Sequence, residues 1–240
     1  MSTLPRIVGF SERSDIEPEE FAPFVFLGGC NLSCPYCIDH SFVLKPDEID
    51  VDLIDTLVEY LEKKQPEWVT ITGGEPTCTD REQLIALFEL IREHGAKVNL
   101  LTNGIKYVTI KKVIHLVSHA CLDLKSASPL DYGTITDVVT VFDQVIRSKR
   151  IMQQEARNRE DFSYEVTTTL YPPFIGDAGD VYDFKQVMWE EEKWVLQQFK
   201  ADKSMLNQNC SYVVPYTEED LEDILEAARE FVDDVSLKNV

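Results

Sequence analysis

The stretch FAPFVFLGGCNLSCPYC, residues 21–37, runs an apolar segment straight into two glycines and then into three cysteines. The apolar part has the composition of a buried strand. Cys30, Cys34 and Cys37 follow with CxxxCxxC spacing, so three of the chain's six cysteines fall within eight residues. Three is an odd number for disulfides and one short of a closed tetrahedral metal site. Thiolates suit zinc or an iron–sulfur cluster. Two readings follow: a zinc site with His40 as fourth ligand, or a 4Fe-4S cluster on three cysteines with one iron free. An open position on a metal is what a catalytic site keeps.

Outward from these cysteines the pattern alternates strand and helix. VDLIDTLVEYLEKK puts Leu53, Ile54, Leu57, Val58 and Leu61 on one helical face. EWVTITGG is a strand ending in two glycines. TDREQLIALFELIREHG reads as a helix with Thr79 and Glu82 at capping-box spacing, a stripe of Leu84, Leu87, Phe88 and Ile91, and Gly95 at its C-terminal end. KVNLLTNG, ACLDLK, SYEVTTTL and KWVLQQF are further strands. Helices are expected around Ile110 to Val117, Asp137 to Gln154, Asp180 to Glu190 and Glu218 to Asp233. A short segment, VSLKNV, ends the chain. Repeated strand–helix units imply right-handed crossovers and a parallel sheet. Six units in 240 residues are too few for a closed eight-unit barrel, which needs about 250. The expected fold is α/β, an incomplete (βα)6 TIM-type barrel of parallel strands. The chain is read as one domain, 1–240, with an N-terminal extension (1–20), a partial barrel core (21–200) and a C-terminal loop, helix and short strand (201–240).

Reacting groups in such sheets gather at the C-terminal strand ends. The cysteines follow the first core strand, GGEP the second and TNG the third, while DLK closes the fourth. Gly28, Gly29, Gly73, Gly74 and Gly104, half of the ten glycines, also fall at these ends. Cys121 lies within a strand and reads as a small buried apolar residue. Cys78 sits near the active face, and Cys210 stands alone in a late loop. His40 reads as a structural or solvent-facing loop histidine.

The formal net charge is −20, from 43 acidic and 23 basic residues. That balance argues against a nucleic-acid surface and against docking on anionic membranes. Runs such as Glu17 to Glu20 and Glu190 to Glu192 read as solvated faces. No apolar run follows a basic start, and no stretch is long enough to span a membrane. A cytoplasmic location is expected, where clustered cysteines bind metal or do chemistry.

CxxxCxxC with Tyr36 before the last cysteine, followed one βα unit later by GGEP, resembles the radical S-adenosylmethionine (SAM) enzymes. The resemblance implies an oxidoreductase with one 4Fe-4S cluster per chain on Cys30, Cys34 and Cys37, and SAM chelating the free iron. It places Tyr36, Gly73, Gly74, Glu75, Thr102, Asn103, Asp123 and Lys125 around the cofactors, Gly73, Gly74 and Glu75 toward the SAM amino group. No catalytic residue beyond the cluster and SAM is implied.

IVGFSERSDIEPEEFAPFVFLGGCNLSCPYC, WVTITGGEPT, KVNLLTNG, LDLKS, YEVTTTLYPP and WVLQQFKADKSM together resemble the activating enzymes of glycyl-radical proteins. Among these, the anaerobic ribonucleoside-triphosphate reductase activating proteins match best. The implied partners are a glycyl-radical protein, the anaerobic ribonucleotide reductase, and an electron donor such as flavodoxin or ferredoxin. Two departures stand out. Ile38, Asp39 and His40 replace the family's asparagine–proline step, and Thr167 stands where an arginine is common. A 7-carboxy-7-deazaguanine synthase acting on a small pterin shares part of the pattern. A non-enzymatic iron–sulfur or zinc protein would leave GGEP, TNG and DLK unexplained.

Overall fold

The computed structural model describes residues 4–12, 21–38, 48–136 and 140–238, together with Ser41 and Val43. Glu17 to Glu20, Asp39, His40 and Asp137 lie outside these residues. In chain order the elements are β1 (Ile7–Ser11), β2 (Phe24–Leu27), α1 (Ile54–Lys64), β3 (Trp68–Gly73), α2 (Arg81–Glu93), β4 (Lys97–Thr102) and α3 (Tyr107–Val113). Then come β5 (His119–Asp123), α4 (Pro129–Thr136), α5 (Phe142–Asn158), β6 (Ser163–Leu170), α6 (Ala178–Val181), β7 (Lys193–Gln198), α7 (Glu218–Arg229) and β8 (Asp234–Lys238).

All eight strands form one sheet in sequential order. Strands β2 through β8 pair in parallel, and β1 pairs antiparallel with β2. Among the described residues β1 and β8 do not pair, so the barrel stays open along one side. The parallel partial barrel is the fold read from the sequence. Two strands enlarge it: β1 comes from the expected extension, and β8 joins the same sheet beyond residue 200.

Period-two alternation sorts the strands into two faces. Val69, Ile71, Val98, Leu100, Ala120, Leu122, Val166, Trp194 and Leu196 are fully buried on the outer face. Helices cover that face. Leu84, Leu87, Phe88 and Ile91 of α2 are each 0% exposed, and each such side chain contributes about 1.5–3 kcal/mol as an upper estimate. The interior positions are more polar: Thr70, Asn99, His119, Cys121, Glu165 and Thr167. An interior that is not filled with branched apolar residues leaves room for a ligand.

Some boundaries moved for local reasons. The cap of α2 is Asp80, whose carboxylate accepts from the Glu82 and Gln83 amides, not Thr79. Thr79 instead closes a 3₁₀ turn over Pro76–Cys78. Gly95 follows α2 with φ +84°, a value that favours glycine. The helix expected near Asp180 is short, α6 running into a 3₁₀ turn over Tyr182–Gln186. The helix expected to start at Asp137 starts at Phe142 instead.

A buried ion pair ties α5 to the sheet. Lys149 bonds Glu192, with side chains 0% and 1% exposed. Glu192 also accepts from Tyr164 Oη at 2.6 Å and from the Trp189 amide at 2.8 Å, and the Lys149 ammonium lies 3.4 Å from the Trp189 ring centroid. Removing one partner strands a charge in the interior. Lys149→Met is expected to lower the unfolding free energy by about 3–5 kcal/mol, read from the anaerobic denaturant midpoint. Lys149→Met combined with Glu192→Gln should cost less than Lys149→Met alone.

Candidate active site at the strand ends

One cavity of ≈ 500 Å³ opens at the C-terminal ends of the strands, and its lining includes Cys30, Cys34, Cys37, Tyr36, Gly73, Gly74, Glu75, Thr102, Asn103, Asp123 and Lys125. The eleven residues expected around the cluster and SAM thus line a single pocket, whereas Gly28, Gly29, Cys78 and Gly104 are not part of its lining. None of the six cysteines forms a disulfide. Burial pushes the Cys30 thiol up to about 12. It also raises Cys34, against the pull of the nearby Lys125. Metal binding here must therefore displace protons. Cys78 is a neighbour of Cys30, its thiol pushed up to about 11 by burial and by Glu75.

His40, the fourth ligand of the zinc reading, lies outside the described residues.

The cysteine loop is seated by the glycines of β3. The Gly74 amide donates to Leu27 O at 2.8 Å and the Glu75 amide to Gly29 O at 2.7 Å. A Cβ on Gly74 would stand 2.0 Å from Gly29 O, and one on Gly73, where φ is +108°, would stand 2.5 Å from Leu27 O. Only glycine allows so close an approach of the two strand ends.

Glu75 is 1% exposed. Its Oε1 accepts from the Thr77 amide at 3.0 Å, Thr77 Oγ1 at 2.5 Å and Thr102 Oγ1 at 2.7 Å, and its Oε2 from the Asn103 amide at 2.7 Å. Burial raises the carboxyl's pKa above its ordinary value, and these hydrogen bonds oppose the rise. The side chain expected to face the SAM amine is thus also a cross-link between β3 and β4. Asn103 extends the link: its Nδ2 donates to Asn31 Oδ1 at 2.8 Å and lies 3.9 Å from Cys30 Sγ.

On the opposite wall Lys125 donates to Asp123 Oδ2 at 2.6 Å. Burial works against the ammonium, but Asp123 and the Cys34 thiol outweigh it and hold the pKa well above the usual lysine value. The ammonium also lies 5.6 Å from the Tyr36 ring centroid. The Tyr36 ring packs 4.9 Å from that of Tyr171, which touches Phe199 at 5.0 Å and bonds Cys210 Sγ at 3.1 Å. The amides of Leu206 and Asn207 donate to Cys37 O and Pro35 O, so the segment after β7 backs the cysteine loop. Cys210 belongs to this packing, 2% exposed. Thr167, the position lacking the family arginine, lines the pocket.

Two buried polar atoms, one on the pocket-lining Asp123 and one on Asn31 next to Cys30, have no partner among the described residues. Asn31 Nδ2 is a donor, and Asp123 Oδ1 is an acceptor that Lys125, bonded to Oδ2, leaves unused. A buried polar atom left unpaired costs about 1–3 kcal/mol. A sulfide-rich cluster satisfies the donor, and a hydroxyl- or amine-bearing ligand satisfies the acceptor. The three thiols, the cavity and these two atoms therefore fit an iron–sulfur cluster and its SAM. Sequence reading missed Asn31, Thr77, Gln197 and Lys200. Lys200 had a signal, a cation just past a strand's C-terminal end; Asn31 had none beyond its place beside Cys30.

Comparison with known proteins agrees with this geometry. The model of the Radical SAM superfamily matches residues 24–169. A Methanocaldococcus jannaschii protein named as a candidate glycyl-radical enzyme activating enzyme is 23% identical over 240 residues, covering 98% of this chain and 96% of that one. A 7-carboxy-7-deazaguanine synthase from Hyperthermus butylicus is 36% identical over 103 residues, 41% of this chain and 43% of that one. Among solved structures, a domain of pyruvate-formate lyase-activating enzyme from Bacteroides vulgatus superposes with TM-score 0.52 at 18% identity, covering 70% of this chain and 97% of that one. Among the described residues no helix is long and apolar enough to cross a membrane.

Glu75→Gln would turn one acceptor oxygen into a donor facing another donor, and is expected to cost about 1–3 kcal/mol in unfolding free energy. Gly74→Ala would push the cysteine loop off β3. Iron analysis after anaerobic reconstitution should show it retaining well under half of the wild-type iron.

Proposed function

Because this chain belongs to the radical SAM superfamily, whose members use a 4Fe-4S cluster and SAM, we propose that it activates a glycyl-radical protein, and specifically the anaerobic ribonucleoside-triphosphate reductase. The whole length, 1–240, then acts as one radical SAM domain, a reading supported by the single continuous sheet. The observation that carries the chemistry is the convergence of three thiols on one pocket whose wall includes the unpartnered Asp123 Oδ1. The activase role rests on the near-complete match to the M. jannaschii protein and on the open side of the barrel.

Cys30, Cys34 and Cys37 would hold the cluster, and Asn31 would donate to it. Held there, a 4Fe-4S cluster and SAM would supply radical chemistry, the one-electron reductive cleavage of SAM, for abstraction of a glycine α-hydrogen in the partner. The chain's residues do the positioning. Asp123 Oδ1 offers an acceptor to SAM, and Lys125 holds Asp123 in place while its charge faces the Cys34 thiol. Gly73 and Gly74 fix the distance between the cysteine loop and the neighbouring strand end. Tyr36 and Phe199 wall the pocket with aromatic surface that excludes water, and Tyr171 backs both rings. The unclosed edge between β1 and β8 leaves a route for a peptide loop, and a glycine, having no side chain, reaches a narrow site. The electron would come from a flavodoxin or ferredoxin.

A second reading, a 7-carboxy-7-deazaguanine synthase-like enzyme acting on a small pterin, is favoured by the 36% identity over 103 residues. That match covers less than half of either protein.

The test begins with anaerobic reconstitution, followed by SAM and dithionite. Cluster-loaded protein should release 5′-deoxyadenosine; a loaded sample that releases none overturns the radical SAM assignment. Adding an anaerobic ribonucleotide reductase should then give a glycyl-radical signal in electron paramagnetic resonance. Its absence, with turnover of a deazapurine precursor instead, favours the second reading. Cys34→Ala should lose the cluster and all SAM cleavage, whereas Cys210→Ala should keep its iron.

A further inference from the structure

A second set of ligating side chains lies deeper in the barrel, on the interior faces of β5 and β6, and the proposed reaction does not use it. His119, Cys121 and Glu165 are all buried, with donor atoms within 4.8 Å of one another. Cys121 Sγ is 3.4 Å from Glu165 Oε1. A tetrahedral zinc with bonds of about 2.3 Å to sulfur and 2.0–2.2 Å to oxygen holds such a pair about 3.5 Å apart. His119 Nε2 is 3.9 Å from Glu165 Oε2 and is buried without a hydrogen-bond partner.

The surroundings hold these atoms in a ligating arrangement. His119 Nδ1 lies 2.7 Å from Ser163 Oγ. The tautomer that donates there leaves the Nε2 lone pair facing Cys121 and Glu165, the pattern by which a metal-bound histidine is oriented. The imidazole also stacks on Phe21, with ring centroids 5.3 Å apart and planes 12° apart. Lys193 Nζ bonds Glu165 Oε2 at 2.7 Å, which occupies one carboxylate oxygen and leaves Oε1 toward the cysteine. Among the described residues none satisfies Nε2.

We propose that His119 Nε2, Cys121 Sγ and Glu165 Oε1 bind one divalent transition-metal ion of the zinc type. Imidazole, thiolate and carboxylate together suit zinc. Binding releases the Cys121 thiol proton to solvent, and the Lys193 ammonium stays on the outer oxygen of Glu165. Three protein donors leave one tetrahedral position for water or a ligand group. Cys121 also lines the large pocket, so the ion sits in its floor, between the proposed cluster and the Phe21 end of the barrel.

The test uses the cluster-loaded full chain, in which the clustered thiols are already occupied by iron. After equilibration with zinc and gel filtration, metal analysis should find about one zinc per chain beyond the cluster iron. Cys121→Ser and His119→Gln should lose it, and Ser163→Ala should weaken it about 10–100-fold. In the chain carrying Cys30→Ser, Cys34→Ser, Cys37→Ser and Cys78→Ser, cobalt(II) should give a near-ultraviolet thiolate-to-cobalt band. No retained zinc, zinc that survives Cys121→Ser, or no thiolate band each overturns the proposal. The cobalt spectrum decides the matter even where Cys121→Ser does not fold, since it leaves all three proposed ligands in place.

Discussion

The buried carboxylate of Glu75 is the constraint on which the pocket depends. Removing an ionised carboxylate from water costs several kcal/mol. Four donors from Thr77, Thr102 and Asn103 oppose that cost without cancelling it, so the carboxyl's pKa stays raised. Because two of those donors belong to Thr102 and Asn103, the end of β4 is tied to the end of β3. Asn103 in turn holds Asn31, beside Cys30. The position of one cysteine is thus set through a short chain of polar contacts that begins at a residue outside the cysteine motif.

The glycines of the same motif act by what they lack. Any side chain at Gly74 would occupy the place of Gly29 O, so the two loops share one surface with no space between them. From the other side, Tyr171, Phe199, Met205 and Cys210 form a small apolar cluster of their own under Tyr36. The cysteine loop is held between a backbone zipper and an aromatic pad. Both supports are dry and short, which suits a loop that must present three thiols in a fixed spread.

How much of this could be read in advance follows the range of each interaction. The alternation of strand and helix, and the gathering of the motifs at one end, are local patterns and were legible. Eleven motif residues proved to line one pocket because the parallel sheet sends every strand end to the same face. The strand β1 was not legible: it is short, carries a register shift between Ile7 and Gly9, and exists only because β2 pairs with it. Thr79 and Asp80 are both good caps, and only the 3₁₀ turn over Pro76–Cys78 decides between them. Glu75 as a cross-link, and Asn31 as its far end, needed the meeting of residues 28 and 72 positions apart.

Cys121 shows the same limit most sharply. Its place inside a strand reads as a small buried apolar residue, and it is indeed 2% exposed. Yet it faces the barrel interior, next to Glu165 from the neighbouring strand and near His119 two residues before it. A strand shows every second residue to the same side, so His119, Cys121 and Asp123 form one row that runs along β5 from its first residue to the wall of the strand-end pocket. Sequence spacing alone identifies the row but not its neighbours. The parallel register that sets Cys121 opposite Glu165 is what turns a buried cysteine into a donor among donors. The polar side chains of the interior are buried and satisfy one another across it, as Asn99 does with Thr70 and Cys121 with Glu165.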